Sequence, residues 1–393
     1  MAYRVTTTTG YGQRIGNSLK GMVVGLILFL VATGGLFWNE GNYVKTGRAI
    51  DEAQAVTTPA GDVAKVDPGL NGKVIHATAK ADTKDVLTDD LFGVSDVAIA
   101  INRKVEYFQH EESSKTKTRD NLGGSETKTT DYEYPTKWVS KPIDSSQFKD
   151  PAYQNKNTVL TPVEEKRLYA KNVTFGGYSL PQFLIQKIGG EDPAEVNLGP
   201  AQKQQWDNKL GDKSKVHVRS NVVYLGKNPD LPEIGDVRVT LTRIVPAEIS
   251  LIAKVNGSTF EEFIASNGRT FSAVARGTVS ADAMFKQARD TNSMITWIIR
   301  GVGALLVVIG LRAMFGLVPT ILKVLPFLSS IVGAGIGLIC VVGGVAWSLL
   351  IIAIAWLTYR PLIGVPLLVL AVAGIVYLRS VSKAKKAAGS ARG

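Results

Sequence analysis

The sequence predicts an α+β protein: four transmembrane helices plus a large, mainly antiparallel β-rich extracytoplasmic domain. Three observations predict it. Apolar residues run almost unbroken through 21–38 and through most of 294–378, long enough to cross a bilayer, and the chain between them has the mixed composition of a globular domain. Inside that middle segment, β-branched and aromatic residues alternate with polar ones at many points, the period of half-buried strands. All 34 Asp and Glu residues lie between Glu40 and Asp290, whereas 12 of the 45 Lys and Arg residues lie outside that window. The domain's remaining 33 cations nearly balance its acids, so the net charge of +11 belongs to the membrane part. It reports topology, and no nucleic-acid partner is expected.

The elements follow in order. Residues 1–20, Thr- and Gly-rich with Arg4, Arg14 and Lys20, are expected to be a cytoplasmic tail without regular structure. Residues 21–38 supply transmembrane helix 1. A basic flank precedes it, as in a signal peptide, but the apolar stretch is long and no small-x-small site follows, so it reads as an uncleaved anchor. Residues 39–293 form the domain outside the cytoplasm. It opens with a short helix near 44–55 and a Pro/Gly-containing linker to 72. Strands are then expected at 73–80, 94–109, 131–139, 167–175, 215–225, 236–243 and 249–255, with helices at 181–188 and 260–265. Residues 111–131, rich in Ser, Thr, Lys and Glu with a Gly-Gly pair, read as a solvated hairpin tip.

An amphipathic helix at 280–293 leads into transmembrane helix 2 at 294–315, and a cytoplasmic loop, 316–326, follows. Transmembrane helix 3 at 327–358 is roughly 48 Å long at 1.5 Å per residue, so it must tilt, project or break at its Gly-rich middle. Pro361 opens transmembrane helix 4 at 361–378, and 379–393 is a basic cytoplasmic tail. Lys and Arg beside the spans favour the cytoplasm. Arg14 and Lys20, Arg312 and Lys323, and the C-terminal cations are all placed there by an arrangement with both termini inside.

Candidate functional residues are few. His76, His110 and His217 have no metal-ligand spacing, and no G-x-S-x-G, H-E-x-x-H or phosphate-loop motif occurs. No enzyme, cofactor or metal is therefore expected. Cys340 is the single cysteine and lies in helix 3, so no disulfide forms within the chain. The spans carry no Asp, Glu or His, which speaks against proton-coupled transport. Asn172-Val-Thr174 and Asn256-Gly-Ser258 match glycosylation acceptors, relevant only in a eukaryotic host.

Gly21 and Gly25, and Gly333 and Gly337, are spaced four apart, which lets helices approach closely within the chain or between copies. Arg300 stands some six residues inside helix 2. It either snorkels to the lipid headgroups or forms half of a buried functional pair. Trp38, Trp297, Trp356, Tyr359 and Arg360 suit membrane–water interfaces, and with Arg300 they form the expected set of anchors.

Five stretches carry a further signal. They are Asn39-Glu40-Gly41, Tyr132-Glu133-Tyr134 with Trp138, and Asn228-Pro229 followed by Pro232-Glu233-Ile234-Gly235-Asp236-Val237-Arg238-Val239. Asn292-Ser293-Met294 with Trp297 and Arg300, and Trp356-Leu357 with Tyr359-Arg360-Pro361-Leu362, complete the set. In order and spacing, across nearly the whole chain, these resemble the LUMA family, the group named for transmembrane protein forty-three. All read as structural; Pro232 and Gly235, for instance, suit a turn that launches a strand. The resemblance implies the same four-span layout, with the domain in the endoplasmic reticulum lumen of animals. It implies a scaffold-like, oligomerising protein of the reticulum and inner nuclear membrane. In a bacterium the domain would be periplasmic and the protein would sit in the inner membrane.

The expected function is a membrane scaffold or assembly protein, a homo-oligomer in contact with lipid, whose extracytoplasmic domain, residues 39–293, mediates self-association or protein binding. A channel or channel-associated subunit is the alternative, motivated by the Gly-rich third span and Arg300. An envelope hydrolase is the remote one.

Overall fold

The computed structural model describes residues 3–211, 214–362 and 365. Three described stretches, Tyr11–Val56, Ala281–Val324 and Pro326–Tyr359, are long and apolar enough to cross a membrane. They contain the long helices α1 (Tyr11–Val56), α2 (Ala281–Phe315) and α3 (Pro326–Tyr359). Beyond Leu362 and Val365, the fourth span expected at 361–378 and the tail at 379–393 lie outside the described residues.

Each helix runs further than its hydrophobic segment. No proline interrupts residues 11–56, so the expected tail, span and short helix near 44–55 become one element. The amphipathic stretch at 280–293 likewise merges into α2, which stops before Gly316 and Pro319. Pro326 opens α3 at its first turn, and the Gly-rich middle does not break it.

Close backbone approach holds the three together. A Cβ placed on Gly25 would lie 2.7 Å from the Ala313 Cβ and 2.7 Å from the Gly310 carbonyl oxygen. One placed on Gly310 would lie 2.9 Å from the Gly25 carbonyl oxygen, and one on Gly344 only 2.6 Å from Val308 Cγ2. Ala32, Leu36, Val307 and Ile351 are buried beside these crossings. Of the glycines singled out by spacing, Gly25 lies at a crossing, and its partner Gly310 was not anticipated. Gly337 sits beside the Arg312 guanidinium, Gly333 touches only Pro319, and Gly21 faces open space.

The longer strands are β1 (Tyr3–Thr9), β2 (Val74–Thr83), β3 (Ala100–His110), β4 (Ser113–Asp120), β5 (Glu126–Glu133), β6 (Lys215–Arg219), β7 (Val222–Gly226), β8 (Val237–Ile244) and β9 (Ala247–Asn256). One sheet places β3 against β8, followed by β7 and β6, with Lys166–Tyr169 on the other side of β3. A second centres on β2 and β9, with Val173–Phe175 and Thr259–Glu261 outside them. Val245 and Pro246 alone carry the chain from β8 in the first sheet to β9 in the second. Alternation orients each strand: Val237, Val239 and Leu241 are buried while Arg238 and Thr240 are not. Tyr107, Val223, Leu225 and Trp206 join them in one core; Ile75, Phe175, Tyr178, Ile249 and Leu251 build another.

The helix expected at 260–265 is instead the strands Thr259–Glu261 and Phe263–Ile264, because Phe260 packs on Phe175 and Tyr178 at the end of the second sheet. A helix at Pro200–Leu210 was not anticipated, although Pro200 at its start and Gly211 past its end are its local signals. A third sheet has the order β1-β5-β4. The N-terminal residues expected to lack structure thus form a strand, and Arg4 pairs with Asp131 at 2.6 Å. Contacts divide the chain into two compact units: residues up to Thr7 with 49–118 and 128–288, and residues 8–48 with 119–127 and 289 onward.

The glycine crossing makes a prediction. Gly310→Leu overpacks a backbone contact and should cost about 1–3 kcal/mol, read as a fall of several degrees in Tm in detergent. Gly21→Leu should leave Tm unchanged.

Candidate functional site

Near the end of its apolar stretch α1 presents Asn39, Glu40 and Gly41, and α2 presents Arg300. A lone carboxylate or guanidinium there is costly unless it meets its complement. The two meet. Arg300 Nε donates to Glu40 Oε1 at 2.6 Å and Nη2 donates to Oε2 at 2.7 Å, a two-pronged pair. From α3, the Trp356 indole Nε1 donates to Oε2 at 2.9 Å. The guanidinium carbon lies 4.6 Å from the Trp297 ring centroid and 5.9 Å from that of Trp356, so aromatic faces take its remaining charge. Glu40 is 0% exposed.

The surroundings are equally occupied. A Cβ on Gly41 would lie 2.6 Å from the Tyr359 ring, which itself packs on Phe37 at 5.4 Å. Asn39 donates to the Thr296 carbonyl at 3.3 Å, Asn292 to the Tyr43 carbonyl at 3.0 Å, and Arg48 to the Tyr359 carbonyl at 3.0 Å. The Arg360 guanidinium stacks over Tyr43 at 4.8 Å. Asn39-Glu40-Gly41, Asn292 to Arg300, and Trp356 to Arg360 are three separate stretches of sequence that converge on one carboxylate.

This corrects the reading of Arg300 as a snorkelling anchor, because its charge is satisfied inside the bundle. Trp356 also points inward, to Glu40. Trp38 and Trp297, at 60% and 66% exposure, present ring area outward. The other reading, a buried pair, is the one formed, and only its partner Glu40 was not named. Its signal was the one acid bordering span 1 and the one cation well inside the start of span 2.

The other end of α1 is also tied by charge. Arg14, buried, reaches Asp120 at 2.7 Å and Glu126 at 3.0 Å, and Lys323 reaches the same acids at 3.2 and 3.8 Å. Asp120 and Glu126 flank the tip between β4 and β5. The hairpin expected at 111–131 forms and Ser113–Arg119 are exposed, while Asp120 and Glu126 at its tip are tied to Arg14 and Lys323.

In the domain, Asp236 is 5% exposed and accepts hydrogen bonds from the Tyr224 hydroxyl and, at 2.8 Å, from the Glu233 N–H. Burial pushes its carboxyl up, outweighing the hydrogen bond from Tyr224. Gly235 takes a positive φ of 101° in the turn that follows Pro232. Arg238 pairs with Glu106 at 2.8 Å and lies 4.4 Å over Trp138. Tyr134 stacks on Tyr153 at 4.3 Å and donates to Glu112 at 2.8 Å; burial first, then Glu112, lift its phenol to about 12. Tyr132 lies on β5, in the third sheet. Among the described residues, no group of three His, Cys, Asp or Glu side chains is placed to hold a metal.

These features define a class: an integral membrane protein whose apolar helices are locked by a buried ion pair and which carries an antiparallel β-rich domain. The family model described as Transmembrane protein 43 matches residues 107–361, and the chain belongs to that family. The chain is similar to Transmembrane protein 43 of Rattus norvegicus, 29% identical over 389 residues that cover 96% of this chain and 94% of that protein. It is 28% identical to the Homo sapiens protein of that name over 395 residues, 98% of this chain and 95% of that one. It is 26% identical to the Drosophila melanogaster homolog over 355 residues, 88% and 90% of the two chains. No solved structure matches.

Glu40→Ala or Arg300→Ala strands the surviving charge and should cost about 3–5 kcal/mol. The double variant should be more stable than either single one, as a double-mutant cycle by thermal unfolding would read. Asp236 gives a pH prediction. Its folded pKa lies above its unfolded value, so its stabilising contribution is complete below the unfolded pKa and is lost as pH rises through the folded one. Asp236→Asn removes that loss, and its Tm advantage over the parent should be larger at about pH 7 than at about pH 4.

Proposed function

We propose that the protein is a multi-pass membrane scaffold or assembly protein whose β-rich domain mediates self-association or protein binding. The observation that carries this reading is the use made of the polar groups in the helices. Glu40 accepts three hydrogen bonds, Arg300 is neutralised, and Trp356 is spent on the same carboxylate. They hold three helices in register. The polar clusters of the domain have the same character, since Asp236, Gly235 and Arg238 hold a turn and a strand. The alternative of a channel drew on the Gly-rich third span and on Arg300, and the pairing of Arg300 within the chain weakens the second of these.

In this reading the Arg14 end of α1 and the basic residues 379–393 face the cytoplasm, with the domain across the membrane. The membrane is the bacterial inner membrane in a prokaryote and the endoplasmic reticulum or inner nuclear membrane in a eukaryote. Native mass spectrometry from mild detergent, with crosslinking in intact membranes, tests the proposal. The expected result is discrete multiples of the 42.2 kDa chain. A strictly monomeric protein in both measurements would contradict it.

A further inference from the structure

The compact unit that holds the apolar helices, residues 8–48, 119–127 and 289 onward, contains four acids: Glu40, Asp120, Glu126 and Asp290. Glu40 is taken by Arg300, and Asp120 and Glu126 are taken by Arg14 and Lys323. Asp290 stands 22 residues before Arg312 on α2, roughly 33 Å along the axis at 1.5 Å per residue. Residues 291–393 hold no Asp or Glu at all. Arg312, in the last turn of α2, is exposed, and among the described residues it forms no ion pair.

Its guanidinium is nevertheless held in place. Arg312 Nη2 lies 3.0 Å from where a Cβ on Gly337 would sit, with Cζ at 3.7 Å and Nε at 3.8 Å. The group therefore rests against α3 in the notch that the missing side chain leaves. Ser329 donates to the Pro319 carbonyl at 2.9 Å and fastens the start of α3 to the segment after α2. From Met294, where the apolar part of α2 begins, to Arg312 is roughly 27 Å at 1.5 Å per residue, against about 30 Å of hydrocarbon. Arg312 thus stands just inside the boundary opposite the Glu40–Arg300 pair. The chain beyond it stays apolar, with Val318, Ile321, Val324 and Leu325 exposed.

We propose that Arg312, seated at Gly337, is a binding site for the phosphate of an anionic membrane phospholipid. A guanidinium at this depth is costly unless an anion meets it. The chain supplies none, and the lipid phosphate is the anion that a bilayer places at that level. The planar fork of Arg matches two phosphate oxygens, which an ammonium does not. Basic pockets between membrane helices recognise such headgroups. Lys20 adds charge at the same end, since it lies five residues before Gly25, which meets Gly310 and Ala313. It too is exposed and forms no ion pair among the described residues, which favours a lipid of net negative charge.

Native mass spectrometry of the full-length protein tests this, in mild detergent doped with phosphatidylglycerol, phosphatidylcholine and diacylglycerol of equal chain length. The expected result is retention of phosphatidylglycerol in preference to the other two. Arg312→Gln should lower that retention about tenfold, the effect of losing a charge-assisted contact. Gly337→Leu, which fills the notch, should lower it similarly. Arg119→Gln, an equal change of charge at an exposed residue of β4, should not. Unchanged retention in Arg312→Gln or Gly337→Leu overturns the proposal, as does a matching fall in Arg119→Gln or equal retention of diacylglycerol, which has no phosphate. Should Arg312→Gln fail to fold, Arg312→Lys keeps the charge and loses the fork: a severalfold fall supports the site and no fall overturns it. Displacement of the lipid by millimolar inorganic phosphate would assign the site to free phosphate and overturn the lipid assignment.

Discussion

A carboxylate and a guanidinium near the end of an apolar helix bundle can exist there only together, and this constraint organises the membrane part. Glu40 on α1, Arg300 on α2 and Trp356 on α3 come from three regions of sequence. Each of the three contacts ties one helix to another at a fixed height and rotation. The pair adds less net stability than its short distances imply, because desolvation offsets much of the attraction. Its greater effect is on specificity, since any other register of the three helices strands a charge.

Packing follows from that register. With Glu40 and Arg300 matched, Gly25 faces Gly310 and Ala313, Gly344 receives Val308, and Leu36 fits against Gly303. Small residues then allow contact where larger ones would hold the helices apart. The opposite end has its own charge cluster of Arg14, Lys323, Asp120 and Glu126. The helices are thus pinned electrostatically near both ends of the apolar stretch of α1, with dispersion and close packing between.

Much of this was legible in the sequence. Long apolar runs marked α1, α2 and α3, and alternation marked β2, β8 and β9, because periodicity and length are local properties. Boundaries were less legible. The tail before residue 21 forms β1 and the first turns of α1, since a strand partner far away in sequence decides its fate. The stretch at 260–265 became strands because Phe260 joins a sheet end. The motif residues were visible individually as Asn39, Glu40, Gly41, Arg300 and Trp356, but their convergence was not. A charge that looks stranded in one segment is explained only by another segment some 260 residues away.

The central claim is that Arg300 is satisfied inside the bundle by Glu40 and Trp356. A cryo-EM map of the protein in lipid nanodiscs measures this most directly. The account predicts the Arg300 guanidinium in two-pronged contact with the Glu40 carboxylate, the Trp356 indole nitrogen on the same carboxylate, and no path from the pair to the headgroups. An Arg300 side chain extended to the lipid phosphates, with Glu40 turned to water, would contradict it.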